Sequence, residues 1–569
     1  MKYAVWAGIL AGILLLVCIA GWQEKRKRQE NCLKRLKKEY GVRTERQASP
    51  SHKACIPAYY QYRISKQEIR PEDGIDDITW NDLDMDRIFS AMNHTYSDAG
   101  EEYLYYTLRT PAYREEELIV REHEITYFIE HEEERRSLQM IFMHLGKDDK
   151  YSLYDYLAFL QKAYDKKKAG TMVWLPAFLI VAAVVLLFIR TGVGLISLFV
   201  VIAFNIYRYY NLKGRLRPCL NSLRYLVRLF RAGKDISLLP LEICREQMEE
   251  IRQLTKMFQP FLKKAGFVFA SEAGSGNPLE IVRDYLNMIF HFDLIQMESM
   301  LSLVERKEEE IDRLNTAIGY LETMIAVGSY RKTLKESGYC IPKFENTGTI
   351  RQKAVMIYHP LLAAPVRNSY EMNKPMLITG SNASGKSTFL KTMAVNQLLA
   401  QTVHMVCAEE FHTMFFRIYS SMALTDNLSG GDSYYMVEIK AMKRILEQST
   451  KGGIPVLCFI DEVLRGTNTV ERIAASTQIL QFLAGQGVAC VAATHDIELT
   501  MLLENMYDNY HFTETVSGDD ISFSYKLLTG RADSRNAIKL LEVMGYDREI
   551  VEKAEAMAQH FIKTNQWNG

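Results

Sequence analysis

Apolar residues follow three patterns along this chain. The first is the unbroken run. Tyr3 to Trp22 holds one uncharged apolar stretch, long enough to cross a bilayer as a helix. Met172 to Ile189 and Val193 to Tyr207 are two more, separated only by Arg190, Thr191 and Gly192. The second pattern recurs every three to four residues. Ile88 and Met92, then Leu118, Ile125 and Phe128, predict helices across residues 80–165, and residues 212–338 read the same way. Within them Pro278 opens a long helical stretch through Tyr330, whose charged block Glu305 to Glu310 is a solvated face. The third pattern begins near residue 350, with short β-rich runs at Ala354–Ile357, Met376–Thr379, Val456–Ile460 and Val488–Ala493. Helical patterns lie between them. Such alternation implies an α/β domain with a mainly parallel sheet.

Charge decides how the apolar runs are read. Lys25, Arg26, Lys27 and Arg28 follow the first run at once, then Lys34, Arg35, Lys37 and Lys38; no small-x-small cleavage site follows, so an uncleaved anchor is expected over a signal peptide. Lys166, Lys167 and Lys168 precede the paired runs, and Arg208, Lys213, Arg215 and Arg217 follow them. Basic outer flanks around a tight turn predict a membrane hairpin with both ends in the cytoplasm. The expectation is a multi-pass membrane protein of three spans, with the N-terminus outside and the C-terminal domain in the cytoplasm. The basic segments could also lie on anionic lipid. The predicted organisation is an anchor at 1–22, a basic juxtamembrane segment at 23–78, a helical core at 79–168, a transmembrane hairpin at 169–210, a second helical part at 211–345 and an α/β domain at 346–569.

Composition narrows the classes. Of 569 residues, 48% are hydrophobic and 24% charged, so wholesale disorder is excluded. Lys plus Arg equals Asp plus Glu at 69 each, which excludes a uniformly basic nucleic-acid coat but not a local patch. Arg208 to Lys234 is such a patch. Nine cysteines without a C-x-x-C pair argue against a disulfide scaffold or a structural zinc site.

The chemistry gathers in the α/β domain. Met376 to Thr379 leads into Gly380, Ser381, Asn382, Ala383, Ser384, Gly385, Lys386, Ser387 and Thr388, a G-x-x-x-x-G-K-S loop after a strand and before a helix starting near Thr388. In such a loop backbone N–H groups wrap phosphates, Lys386 reaches the β- and γ-phosphates of ATP, and the Ser387 hydroxyl ligates Mg²⁺. About 75 residues on, the run Val456 to Ile460 ends in Asp461 and Glu462. Asp461 suits the Mg²⁺ shell and Glu462 the polarisation of an attacking water. His495 follows a third apolar strand, where α/β sheets place ligand chemistry, and could hydrogen-bond the γ-phosphate or the water. Leu428 to Ser433, with Ser429 and Gly430, is either an anion nest serving a neighbouring subunit or an ordinary loop and N-cap.

These residues together resemble the MutS family of ATPases. The P-loop Thr379 to Thr388 reads much like the family's, including Asn382. His359-Pro360 looks like its upstream motif, Ser429 to Ile439 like its signature segment, Asp461 to Thr469 like D-E-x-G-R-G-T-x-T, and Ala493 to Thr500 like A-T-H-x-x-E-L-T. Gly530 to Ala537 and Gly545 look like its closing helices. More weakly, Asn93 to Gly100 with Leu104, Leu108, Arg109 and Pro111 resembles a segment of the family's helical core, and the helix ending near Tyr330 its lever. The resemblance implies an ABC-type P-loop ATPase domain on an all-α lever region. It implies a homodimer in which Ser429 and Gly430 of one subunit approach the γ-phosphate of the other, and DNA as effector. Several departures qualify it, Val403 to Cys407 in place of the family's G-S-F-V-P among them. Leu464 stands where the family has Gly, and only some 50 polar residues separate the anchor from the helical core, too few for mismatch-reading and connector domains. An ATP-driven DNA clamp held at a membrane is therefore expected, without mismatch reading. The rival is a membrane scaffold or remodelling ATPase acting on protein or lipid.

Overall fold

The structure is a computed structural model describing residues 2–43, 49–70, 72–148, 150–163, 175–216, 219–270, 278–345, 348–381, 384–422, 434–465, 467–517, 520–532, 538, 541, 545–564 and 566–567. The chain forms two units. The first holds Met1–Lys66, Asn93–Tyr106 and Glu124–Tyr330; the second holds Gln67–Met92, Thr107–His123 and Arg331–Gly569. The last and longest segment of the second unit begins at Arg331. Two earlier segments also belong to it, and nothing local in their sequence announces that.

The first unit is helical. Its long helix Glu308–Thr333 buries Ile311, Leu314, Ile318, Leu321 and Ile325, the spacing of one helix face. Gly319 and Gly100 permit a close crossing. A Cβ on Gly319 would stand 2.4 Å from the Ala99 carbonyl oxygen, and one on Gly100 would strike the Glu322 carboxylate. Glu322 is buried there and accepts from the backbone amides of Tyr96 and Ser97 and from the Ser97 hydroxyl, satisfying donors at the start of the helix Asp98–Arg109. A second nucleus stacks Phe230 on Phe258 at 4.1 Å, with Phe261 edge-on at 4.8 Å.

Three sequence expectations change here. The stretch from Pro278 is not one helix but Pro278–Phe290, Phe292–Arg306 and Glu308–Thr333. The first break sits at His291, which is left-handed with φ 60° and carries no glycine or proline warning. Residues 23–78 are no loose flank. One helix runs Lys2–Glu39 through the basic cluster, and Leu36, Tyr40 and Tyr59 are buried. The side chains of residues 2–18 lie outside the description. Finally, of three expected spans, one described helix, Thr191–Gly214, is long and apolar enough to cross a membrane, and it is mostly unburied. Its partner Leu175–Ile189 has 15 residues, about 22 Å against the roughly 30 Å of a bilayer core. Lys166 to Lys168 and the start of that apolar run fall outside the described residues. The turn is tighter than expected: the second helix restarts at Thr191, and a Cβ on Gly194 would meet the Leu187 Cα at 2.2 Å.

The second unit carries two sheets. Strands β1 (Lys343–Phe344), β2 (Gln352–Ile357), β3 (Asn368–Met372) and β5 (Glu410–Thr413) form a sheet of order β1-β5-β2-β3. The larger sheet takes β4 (Met376–Thr379), β6 (Arg417–Ser421), β7 (Val456–Asp461), β8 (Ala489–Thr494), β9 (Asp508–Ser517) and β10 (Asp520–Thr529) in the order β10-β9-β4-β8-β7-β6. All pairs except β9–β10 are parallel. Every residue of β4, β7 and β8 is buried, which explains their unbroken apolar sequence. The early segments fit into this unit through polar contacts. Thr79 and Asp82 accept from Ser420 on β6, and Arg331, almost wholly buried, makes a bidentate pair with Glu122 at 2.7 and 2.6 Å.

Candidate nucleotide site

Sheet order puts the chemistry in one place. β4, β8 and β7 are adjacent, with Thr379 opposite Thr494 and Asp461 opposite Ala493. Their C-terminal ends therefore deliver the glycine loop, His495 and the two acids to one crevice, the usual ligand position in parallel sheets. The chain turns sharply after β7: Glu462 adopts φ 63° while its amide bonds the Ala493 carbonyl at 2.9 Å. A non-glycine residue in the left-handed region is strained, and here it aims the carboxylate across the strand ends.

The side chains meet directly. The Ser387 hydroxyl donates to Asp461 Oδ2. Lys386 Nζ donates to the carbonyls of Gly380 at 2.6 Å and Ser381 at 2.9 Å, and lies 3.4 Å from His495 Nε2. His495 Nε2 is 2.9 Å from Glu462 Oε1, and Arg465 Nε is 2.7 Å from Glu462 Oε2. Burial lowers the Lys386 ammonium below the usual lysine range, with Asp461 and Glu462 opposing it. Burial pushes Glu462 up, but His495 and Arg465 outweigh it and hold the carboxyl below the ordinary range. Glu462 is thus a carboxylate at neutral pH.

The loop has the shape and donors for a phosphate chain. Gly385 has φ 103° and caps the helix Lys386–Val403, which begins two residues earlier than expected. Gly380 has φ 147°, and a Cβ there would come within 2.9 Å of the Phe512 carbonyl oxygen and the Ser384 hydroxyl. The Ser384 hydroxyl is buried without a hydrogen-bond partner among the described residues. A hydroxyl left in that state wants a ligand acceptor or donor. Ser387 and Asp461 present hard oxygens, the donor type magnesium takes. The residues fit ATP and Mg²⁺.

Asn382, Ala383, Ser429 and Gly430 lie outside the described residues, so the loop tip and the proposed nest have no placement. Thr388 sits in the first turn of the Lys386–Val403 helix. His359 is buried, with its pKa lowered to about 4 chiefly by burial, and accepts from the Leu361 amide, a turn-forming role. Sequence reasoning missed three neighbours. Arg465 clamps Glu462, Glu438 accepts from the Arg465 amide at 2.9 Å, and Glu514 accepts from the Ser381 hydroxyl. Arg465 lay inside a quoted motif and Glu438 inside another; Glu514, on β9, had no local signal.

Comparison with known proteins agrees with this geometry. Residues 376–562 match the family described as MutS domain V. The chain is 32% identical over 265 residues to the DNA mismatch repair protein MutS of Thermus thermophilus, covering 46% of this chain and 32% of that protein. It is 31% identical over 228 residues to the protein of that name from Pseudothermotoga lettingae, covering 38% and 28%. The matched part spans about a third of the length of these curated relatives. Over its C-terminal part, the chain is thus similar to MutS proteins, with residues 376–562 matching their domain V.

Proposed function

We propose that this chain is a membrane-anchored, ABC-type P-loop ATPase that hydrolyses ATP with Mg²⁺ to drive a dimeric DNA clamp. The observation that carries the ATPase reading is the meeting of Lys386, Ser387, Asp461, Glu462 and His495 at three adjacent strand ends. Lys386 turns from the loop carbonyls to the β- and γ-phosphates. Ser387 and Asp461 would hold Mg²⁺, which would neutralise charge developing on the phosphates. Glu462 takes a proton from the attacking water as the bond to the γ-phosphorus breaks, releasing ADP and phosphate. His495 holds Glu462 in place and stands beside the γ-phosphate. Ser429 and Gly430 serve the partner's site.

Lys386→Ala should lower turnover about a hundredfold through lost charge stabilisation, and Glu462→Gln should bind ATP but hydrolyse it slowly. Equal turnover in wild type and Glu462→Gln would remove the mechanism. Mixing Lys386→Ala with Ser429→Arg subunits should recover activity in mixed dimers; demonstrable mixed dimers without activity would sink the shared site.

DNA as effector rests on the resemblance of the ATPase motifs and on the relatives' printed names. The exposed apolar helix Thr191–Gly214 favours the second reading, a scaffold or remodelling ATPase working on protein or lipid. Turnover with duplex DNA against vesicles containing anionic lipid, at several salt concentrations, separates the two.

A further inference from the structure

The helix Cys219–Ser237 buries most of one side in the first unit. On another side it places Arg224, Arg228 and Arg231 at i, i+4 and i+7, one stripe of the surface. The loop after Gly146 passes beside this stripe, and Gly146, at φ 71°, is near enough that its Cβ would stand 3.4 Å from an Arg228 nitrogen. Between loop and helix lies a cavity of about 690 Å³. That is within the roughly 300–1,000 Å³ of small-molecule sites.

The cavity is strongly cationic. Among the described residues that line it, Lys150, Arg224, Arg228 and Arg231 face one acid, Asp148. Asp148 is already engaged: its carboxylate accepts from the Tyr156 hydroxyl and from the Lys150 amide. Lys150, Arg228 and Arg231 form no ion pair among the described residues. The Arg228 and Arg231 guanidinium groups line a concave surface and call for an anion with several oxygens, and phosphate matches their fork geometry. The aromatic lining adds a second demand. Tyr151 is half exposed at the mouth, and Phe269 lies under Arg224 at 5.7 Å. A bare inorganic ion would leave the exposed face of Tyr151 unused.

We propose that this cavity is a binding site for a phosphate carried on a small organic group, with Arg228 and Arg231 gripping the phosphate and Tyr151 and Phe269 packing on the group. Its lining residues belong to the first unit and the P-loop residues to the second. Its loop wall is tied to a buried network: the Asp148 amide donates to Asp98 at 2.9 Å, and the Asp148 carbonyl is 3.2 Å from His52 Nδ1. Occupancy would therefore bear on Asp148, which both lines the cavity and joins this network.

The test uses the full detergent-solubilised chain carrying Lys386→Ala, which silences phosphate binding at the P-loop. Calorimetric titrations with AMP, glycerol 3-phosphate and inorganic phosphate are compared. Saturable binding of an organic phosphate, tighter than inorganic phosphate and weakened about tenfold or more by Arg228→Gln with Arg231→Gln, is expected. Preference for AMP points to a nucleotide source, and preference for glycerol 3-phosphate to a lipid headgroup. The exposed Arg231→Gln alone should weaken binding without changing the melting temperature, which guards against misfolding. No saturable binding, or equal binding in the double variant, would overturn the site. So would a 20-base-pair duplex binding through these arginines when small phosphates do not.

Discussion

Glu462 Oε1 lies 2.9 Å from His495 Nε2, although the two residues leave different strands, β7 and β8. Parallel pairing of Asp461 with Ala493 makes the contact. The histidine and Arg465 together fix both carboxylate oxygens, so the candidate base enters the crevice in one orientation.

Replacing His495 with Ala should therefore slow hydrolysis tenfold to a hundredfold or so while ATP affinity changes little, because the loss is one of orientation and proton handling. Nucleotide binding measured beside turnover checks this. An equal loss in both would assign His495 to binding instead. The pairing also has a pH signature. Glu462 has a folded pKa below its unfolded value. Its contribution to stability is present above the ordinary glutamate range and disappears as pH falls through the lower folded value. Wild type should lose stability relative to Glu462→Gln on acidification below about pH 4.

Glu322 should behave in the opposite sense. Burial pushes its carboxyl up to about 7 against three hydrogen-bond donors. A raised acid favours the protonated folded state, so its contribution is complete below the unfolded value and is lost as pH rises through about 7. Wild type should lose on the order of 1–3 kcal/mol relative to Glu322→Gln between pH 5 and 8. Denaturant unfolding at several pH values measures it, and parallel curves would reject the assignment.

Two helical glycines give contrasting substitutions. Gly319→Ala drives a Cβ into the Ala99 carbonyl and should cost about 1–3 kcal/mol. A Cβ on Gly266, in the helix Arg245–Ala270, meets nothing within 4 Å, so Gly266→Ala should stabilise by about 0.5–1 kcal/mol. Thermal melts of both proteins suffice.

Membrane topology is accessible to thiol labelling. With Cys18 replaced, a cysteine at Thr191 should react with an impermeant reagent in intact cells, and one at Lys27 only after permeabilisation. The reverse pattern would put the nucleotide site where cytoplasmic ATP cannot reach it.

Sequence alone determined the features that depend on contiguous residues. Gly380 and Gly385 announce a loop that needs positive φ and room against its surroundings, and Lys386 and Ser387 follow at fixed spacing on a helix start. The apolar runs of β4, β7 and β8 were legible because strands buried on both faces must be apolar throughout. Tertiary structure decided what depends on partners far along the chain. The order β4-β8-β7 joins residues about 75 to 110 positions apart into one site. Packing, not local preference, holds His291 left-handed inside an expected helix, and draws Gln67–Met92 into the second unit through Thr79, Asp82 and Ser420. Glu514 reaches Ser381 because β9 pairs beside β4. A pattern of propensities describes each segment by itself, whereas these contacts arise only when buried polar groups must find partners across the fold.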